Sequence, residues 1–314
     1  MKTPLLLAIP LILVGCAATP APTPSPTMAP VSIENCGFDV TVAQQPQRIV
    51  TIKSTSTELV LALGLGDRIV GQAFPDGPVP ESLPQVDVPL ISDRAPSEEA
   101  VLDLEPDLVF AGWESNFTAE AAGDRAELRD LGIATYVSPA ACKGEYQPAH
   151  LDFDGLFADI AEAGQLLGAS DAATALIAEQ QKQLSAIEPN DEGLTALWWS
   201  SGTDTPYVGA GIGAPQLILD TIGLANIAGD VDDTWTPYNW EAVIAANPDV
   251  IVLVDASWNT AESKKAYLAS NPATANLDAV KNERYLVVPF AAGEAGVRSV
   301  EAATSLSEQL AALK

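Results

Sequence analysis

Two stretches decide the fold: residues 97–113, SEEAVLDLEPDLVFAGW, and residues 239–258, NWEAVIAANPDVIVLVDASW. Each opens on a good N-cap residue, Ser97 or Asn239, which predicts a helix with Glu99 or Glu241 in its first turn. Each then runs through Pro-Asp into an apolar strand. Glu99 precedes Pro106 by seven residues and Glu241 precedes Pro248 by seven, so the two units stand 142 residues apart. That offset is half of the 284 residues that come after residue 30. A weaker echo pairs Leu63-Gly64-Leu65 with Ile222-Gly223-Leu224, each closing a helix. A repeated helix–Pro-Asp–strand unit predicts two lobes of related topology.

The surrounding pattern agrees. Short β-rich runs at 48–52, 68–72, 107–111 and 134–137 alternate with helical segments, and a second set lies at 195–199, 250–254 and 285–288. Such alternation predicts parallel-rich sheets covered by helices. Residues 152–188 carry no proline and space Phe153, Leu156, Phe157, Ile160, Leu166 and Leu167 as a helix face. Gly164 and Gly168 can interrupt it, leaving either a stiff strut of about 50 Å or a helical hairpin. The expected class is therefore α/β: two Rossmann-like lobes, 31–151 and 189–314, joined by a helical connector at 152–188.

Residues 1–15 read as a signal. Lys2 precedes an apolar run from Pro4 to Val14, too short to span a membrane. Residues 17–30, AATPAPTPSPTMAP, hold five prolines and no charge, so 16–30 forms an extended tether rather than core. The chain has 42 Asp and Glu against 15 Lys and Arg, a net charge of −27. That excess disfavours nucleic acid as a partner. One His and three Cys exclude multi-His zinc and Cys-rich sites, and neither metal nor cofactor is expected. Export to an oxidising compartment makes Cys36 and Cys142 candidates for a disulfide, the alternative being two buried thiols.

These features together resemble a known family. Leu13-Val14-Gly15-Cys16 matches the lipobox of bacterial lipoproteins, in which the Cys is acylated. With the two lobes, the connector and the paired Pro-Asp segments, roughly residues 33–314 resemble a substrate-binding lipoprotein of an ABC importer, in the iron-siderophore and cobalamin branch. The resemblance implies a class III periplasmic-binding-protein fold and a monomer lipid-anchored to the outer face of the cell membrane. It also implies permease and ATPase subunits as partners. Residues 48–71 (RIVTIKSTSTELVLALGLGDRIVG), 200–216 (SSGTDTPYVGAGIGAPQ) and 282–303 (NERYLVVPFAAGEAGVRSVEAA) are similar to a narrower subfamily. Its members are described as importers of a coenzyme F-420 precursor (F-420-0), a deazaflavin carrying a phospholactate. Ferric siderophore, corrinoid and haem rank behind it as ligands.

Residues for each of these roles can be named. Glu99 and Glu241 complement their helix dipoles, and the resemblance implies that each also meets an arginine of the transporter. A ligand belongs between the lobes, where strand C-termini and helix N-termini converge. Lys53, Ser54, Thr55 and Ser56 offer a cation, hydroxyls and helix-start N–H groups to an anion. Gly211, in Gly209-Ala-Gly-Ile-Gly213, offers close backbone approach or a simple turn. Trp113, Trp199, Trp235 and Trp258, with Tyr207 and Phe290, are candidates to stack on a flat ring; alternation makes one of Trp198 and Trp199 core. Arg298 at a helix start needs an anionic partner, either ligand or a nearby acid. Asp230, Asp232 and Asp233 lack Ca²⁺-loop spacing, and His150 is isolated. No nucleophile–His pair suggests itself, so binding rather than turnover is expected. The rivals are an exported hydrolase or lyase using Asp204, Asp233 or Asp255, and a purely structural surface lipoprotein.

Overall fold

The structure, a computed structural model, describes residues 29–313. Cys16, the signal at 1–15 and most of the tether lie outside the described residues. The chain opens with a hairpin of β1 (Val31–Asn35) and β2 (Phe38–Val42), antiparallel and turned at Cys36-Gly37. Both turn residues have positive φ, 49° and 78°, as a tight two-residue hairpin turn requires. Five parallel strands come next: β3 (Ile49–Ile52), β4 (Ile69–Ala73), β5 (Leu90–Ser92), β6 (Leu108–Ala111) and β7 (Ala134–Val137). Helices α1 (Ser54–Ala62), α2 (Glu98–Leu102) and α3 (Arg125–Asp130) intervene, and the sheet order is β5-β4-β3-β6-β7. All four residues of β3 and of β6 are buried, as expected where helices cover both faces of a parallel sheet.

The connector is two helices, α4 (Phe153–Leu166) and α5 (Ser170–Leu184). Gly168, at φ 67°, ends the first in a left-handed residue. The helices then pack so closely that a Cβ on Gly164 would stand 2.4 Å from the Cβ of Ala173. A continuous strut is therefore not formed, and of the two arrangements open to this segment the chain adopts the paired one.

The second lobe contains β8 (Thr195–Ser201), β9 (Tyr207–Gly209), α6 (Ala214–Ile222), β10 (Ala225–Asn226), β11 (Trp235–Pro237) and α7 (Trp240–Ala246). It continues through β12 (Val250–Asp255), α8 (Ala261–Ser270), α9 (Asp278–Lys281), β13 (Tyr285–Pro289) and α10 (Ser299–Ala312). Its sheet runs β11-β9-β8-β12-β13, with β10 parallel to the start of β8 and with β9 and β11 antiparallel.

The Pro-Asp repeat has the same job in both lobes. Helix α2 is followed by Glu105 at φ 44° and α7 by Asn247 at φ 43°, left-handed residues immediately before each proline. The aspartate then pins the adjacent strand. Asp107 accepts the Gln47 and Arg48 N–H groups at 2.7 and 3.0 Å, just ahead of β3. Asp249 accepts the N–H and hydroxyl of Thr195, the first residue of β8, both at 2.8 Å. Each carboxylate thus fixes where two neighbouring parallel strands begin.

The lobes share a core in which Leu59 and Val60 of α1 and the α4 residues join Leu217 of α6 and Val300 of α10. Polar contacts cross as well. Leu151 N–H donates to Ile212 C=O at 2.9 Å, and the Gln180 amide to Val297 C=O at 2.7 Å. Arg298 lies 3.5 Å from Glu58 of α1, whose side chain is 2 % exposed. Burial pushes the Glu58 carboxyl up to about 7, with Arg298 opposing the rise.

Two outcomes test these contacts. Asp249→Ala should lower stability by about 1 kcal/mol in urea unfolding. The Thr195 N–H holds the Asp249 carboxyl below its usual value. Its contribution is therefore present above the unfolded value near 3.8 and lost as pH falls through the folded one. Wild type and variant should converge in strong acid, and a constant gap would reject this role. Arg298→Met should cost about 3–5 kcal/mol at pH 8, where an ionised Glu58 is left buried without its cation. Because the Glu58 carboxyl is raised, the loss should shrink on going to pH 6, where it is protonated; an equal loss at both pH values would sink the ion-pair account.

Candidate functional site

Strand C-terminal ends and helix starts from both lobes enclose a cleft of about 460 Å³. The first lobe supplies Thr55 at the start of α1, Gly112 to Ser115 after β6, and Ser138, Ala140, Ala141 and Lys143 after β7. The second supplies Ser200 and Ser201 of β8, Tyr207, Asp233 to Trp235, Trp258 after β12, and Phe290, Glu294 and Ala295 after β13. Crevices beyond the carboxyl ends of parallel strands are where α/β folds place ligands.

Rings dominate its walls. Tyr207 of β9 and Trp235 of the neighbouring β11, diagonal to each other in the antiparallel pairing, stack at 6.1 Å and 13°. Trp258 meets Phe290 edge-on at 6.0 Å and is 64 % exposed, which sets it at the mouth. Trp113 packs edge-on against Phe74 at 5.8 Å, and its indole N–H crosses between lobes to Glu294 Oε2 at 3.1 Å. Six sequence candidates therefore meet here: Thr55, Trp113, Tyr207, Trp235, Trp258 and Phe290.

The other six do not line it. Lys53, 1 % exposed, forms an ion pair with Asp76. Its ammonium lies 3.7 Å from the Trp113 ring centre and 4.1 Å from that of Phe74. It supports the wall from behind instead of reading an anion. The Ser54 hydroxyl accepts the Asp76 N–H at 2.8 Å, and Ser56 donates to Ile52 C=O at 2.8 Å, so both are satisfied locally. Trp199 is core, 5.2 Å from the Trp240 ring, with its N–H on Ser201 C=O at 2.8 Å. Gly211 is a packing glycine whose Cβ would fall 2.1 Å from Gly229 O. The anionic partner of Arg298 is Glu58, with Glu301 also at 3.5 Å.

Sequence reasoning missed Glu294, Lys143, Thr234 and Glu114 as cleft residues and gave Asp233 only to a rival. Glu294 had a faint signal, a lone acid in the apolar run 286–297. Its carboxyl is pushed up to about 7 by burial, against the pull of the Trp113 hydrogen bond. Lys143 had none. It comes directly after Cys142, whose bond to Cys36 (Cα–Cα 5.3 Å) ties the hairpin turn to the cleft rim. The Lys143 ammonium there lies 3.3 Å from Thr234 Oγ1 and 3.9 Å from Asp233.

Glu99 and Glu241 sit apart from these rings, exposed at equivalent places in α2 and α7. Ser97 caps the first helix through the Ala100 N–H, and Asn239 the second through the Ala242 N–H. Asp255 likewise serves structure, accepting the Ala261 N–H at 2.7 Å. Among the described residues no group of three or more His, Cys, Asp or Glu could hold a metal ion, and no helix is long and apolar enough to cross a membrane.

The ABC transporter substrate-binding lipoprotein YvrC of Bacillus subtilis (strain 168) is 28 % identical over 290 residues, covering 90 % of this chain and 85 % of that protein. A cobalamin-binding protein of Halobacterium salinarum (strain ATCC 29341 / DSM 671 / R1) is 27 % identical over 228 residues, 68 % of this chain and 55 % of that one. Among solved structures, an ABC-type Fe³⁺-hydroxamate transport system protein of Saccharomonospora viridis DSM 43017 superposes with a TM-score of 0.76 at 26 % identity. That match covers 90 % of this chain and 99 % of that one. The fold is the class III α/β arrangement with parallel-rich sheets. The family and these relatives bind substrates and are not enzymes, which removes the hydrolase alternative. Residues 49–292 match the periplasmic binding protein family, and the chain belongs to it.

Proposed function

We propose that this chain is the extracytoplasmic, lipid-anchored capture component of an ABC importer and takes a small conjugated organic solute between its lobes. One observation carries the reading: five aromatic side chains, Trp113, Tyr207, Trp235, Trp258 and Phe290, converge from both lobes on a single cleft. Stacking on such walls is largely indifferent to substituents but demands a flat π-surface. The volume of about 460 Å³ falls within the range of small-molecule sites.

Deazaflavin phospholactate remains the first candidate on its ring. Its anionic tail is less well served, because Asp76 and Glu58 hold the two cations expected to read it. Lys143 at the rim is the remaining cation of the cleft wall. The relatives' names keep a corrinoid or a ferric hydroxamate as alternatives. Haem would find only Tyr207 as an iron ligand on the walls. Delivery uses Glu99 and Glu241, one exposed carboxylate at the same capped position in each lobe, directed to cations of the permease.

Titration followed by tryptophan quenching, with these four solutes, measures capture. Trp235→Ala and Trp258→Ala should each lose about 1–3 kcal/mol of binding, the scale known for base–aromatic stacking; undiminished affinity in both would remove the stacking account. The double variant Glu99→Lys, Glu241→Lys should abolish uptake by cells while leaving that titration unchanged, and normal uptake would reject docking through these residues.

A further inference from the structure

The aromatic walls leave undefined which polar group the solute carries inward. Any selection at that point presupposes capture of a flat solute in this cleft, so it rests on the proposed function. The charged side chains of the cleft wall are Glu114, Lys143, Asp233 and Glu294. Glu114 accepts the Lys143 backbone N–H at 2.7 Å, and Asp233 has the Lys143 ammonium at 3.9 Å. Both acids thus have protein partners at the rim. Glu294 is different. One of its oxygens accepts the Trp113 indole N–H, and the other has no protein donor among the described residues. The ammonium of Lys53 attracts this carboxylate but donates to Asp76 instead.

A partly buried carboxylate that lines the cleft and has one oxygen without a protein donor offers that oxygen to a donor on the solute, and surrounding aromatic faces attract cations as well. We propose that Glu294 is the specificity-determining residue of the cleft, selecting a solute whose ring bears a cationic or N–H-carrying substituent and disfavouring an anion at that place. An anionic tail, where a solute has one, is left to Lys143 at the mouth.

Three fluorescent probes with one ring test this: 1-pyrenemethylammonium, 1-pyrenemethanol and 1-pyrenecarboxylate, titrated at 0.15 M salt so that the overall charge of −27 is screened. The ammonium probe should bind at least tenfold more tightly than the carboxylate. Glu294→Gln keeps an acceptor for the Trp113 N–H, so the wall should stay in place. It should reduce ammonium affinity about tenfold and leave the alcohol within about threefold. Burial, with Asp76, raises the Glu294 carboxyl, and the Trp113 N–H, Lys53 and Lys143 lower it, leaving it at about 7. It is ionised above that value, so wild-type preference for the ammonium should weaken from pH 8 to pH 6, and the variant should lose this dependence. Equal binding of the two charged probes, or a preference unchanged in Glu294→Gln, would overturn the proposal while alcohol binding leaves the aromatic cleft intact. Failure of all three probes to bind would overturn both.

Discussion

The fold hangs on a carboxylate used twice. In a parallel sheet the strands do not determine one another's starting point through a tight turn, because each connection passes over a face. Asp107 and Asp249 supply that constraint by gripping the backbone at the entry of the neighbouring strand. With strand starts aligned, strand ends are aligned too, and the segments leaving β3, β6, β8 and β12 come together on one edge. The cleft is therefore a consequence of bonds made at the opposite end of each sheet. The proline ahead of each aspartate ends the helix, and the left-handed Glu105 and Asn247 redirect the chain.

Charge is handled differently at the interface between lobes. Lys53, Glu58, Asp76 and Arg298 are all largely buried, and each meets an opposite charge. Such pairs add little net stability when desolvation is counted, yet breaking one is expensive. Lys53–Asp76 keeps Trp113 supported within the first lobe, whereas Glu58–Arg298 joins the lobes. Both act as orientation devices, and neither presents charge to the cleft.

Much of the architecture was legible because it is periodic. The Pro-Asp repeat gave two related lobes, and the spacing of Phe153, Leu156 and Ile160 gave a helical connector. Aromatics placed just after strands were also legible, since strand ends face the cleft whatever the strand order. Trp199 failed because it stands before the end of the seven-residue β8, in a sheet covered on both faces, so that Trp198 and Trp199 are both core instead of one of them. Lys53 and Arg298 failed for another reason. Scarcity of basic residues says that each matters without saying to whom, and Asp76 and Glu58 become partners only through tertiary folding. Glu294 and Lys143 carry no periodic signal, because loop positions are fixed by what their neighbours are bonded to.

At the rim, the Cys36–Cys142 bond therefore has a meaning beyond stability. It closes a span of 106 residues, nearly the whole first lobe, and its second end is the residue beside Lys143. Beside that bond the rim is held by short turns after β7 and by the Lys143 contacts to Glu114 and Thr234. The same covalent bond that closes the first lobe therefore also fixes the backbone next to the one cation lining the cleft among the described residues.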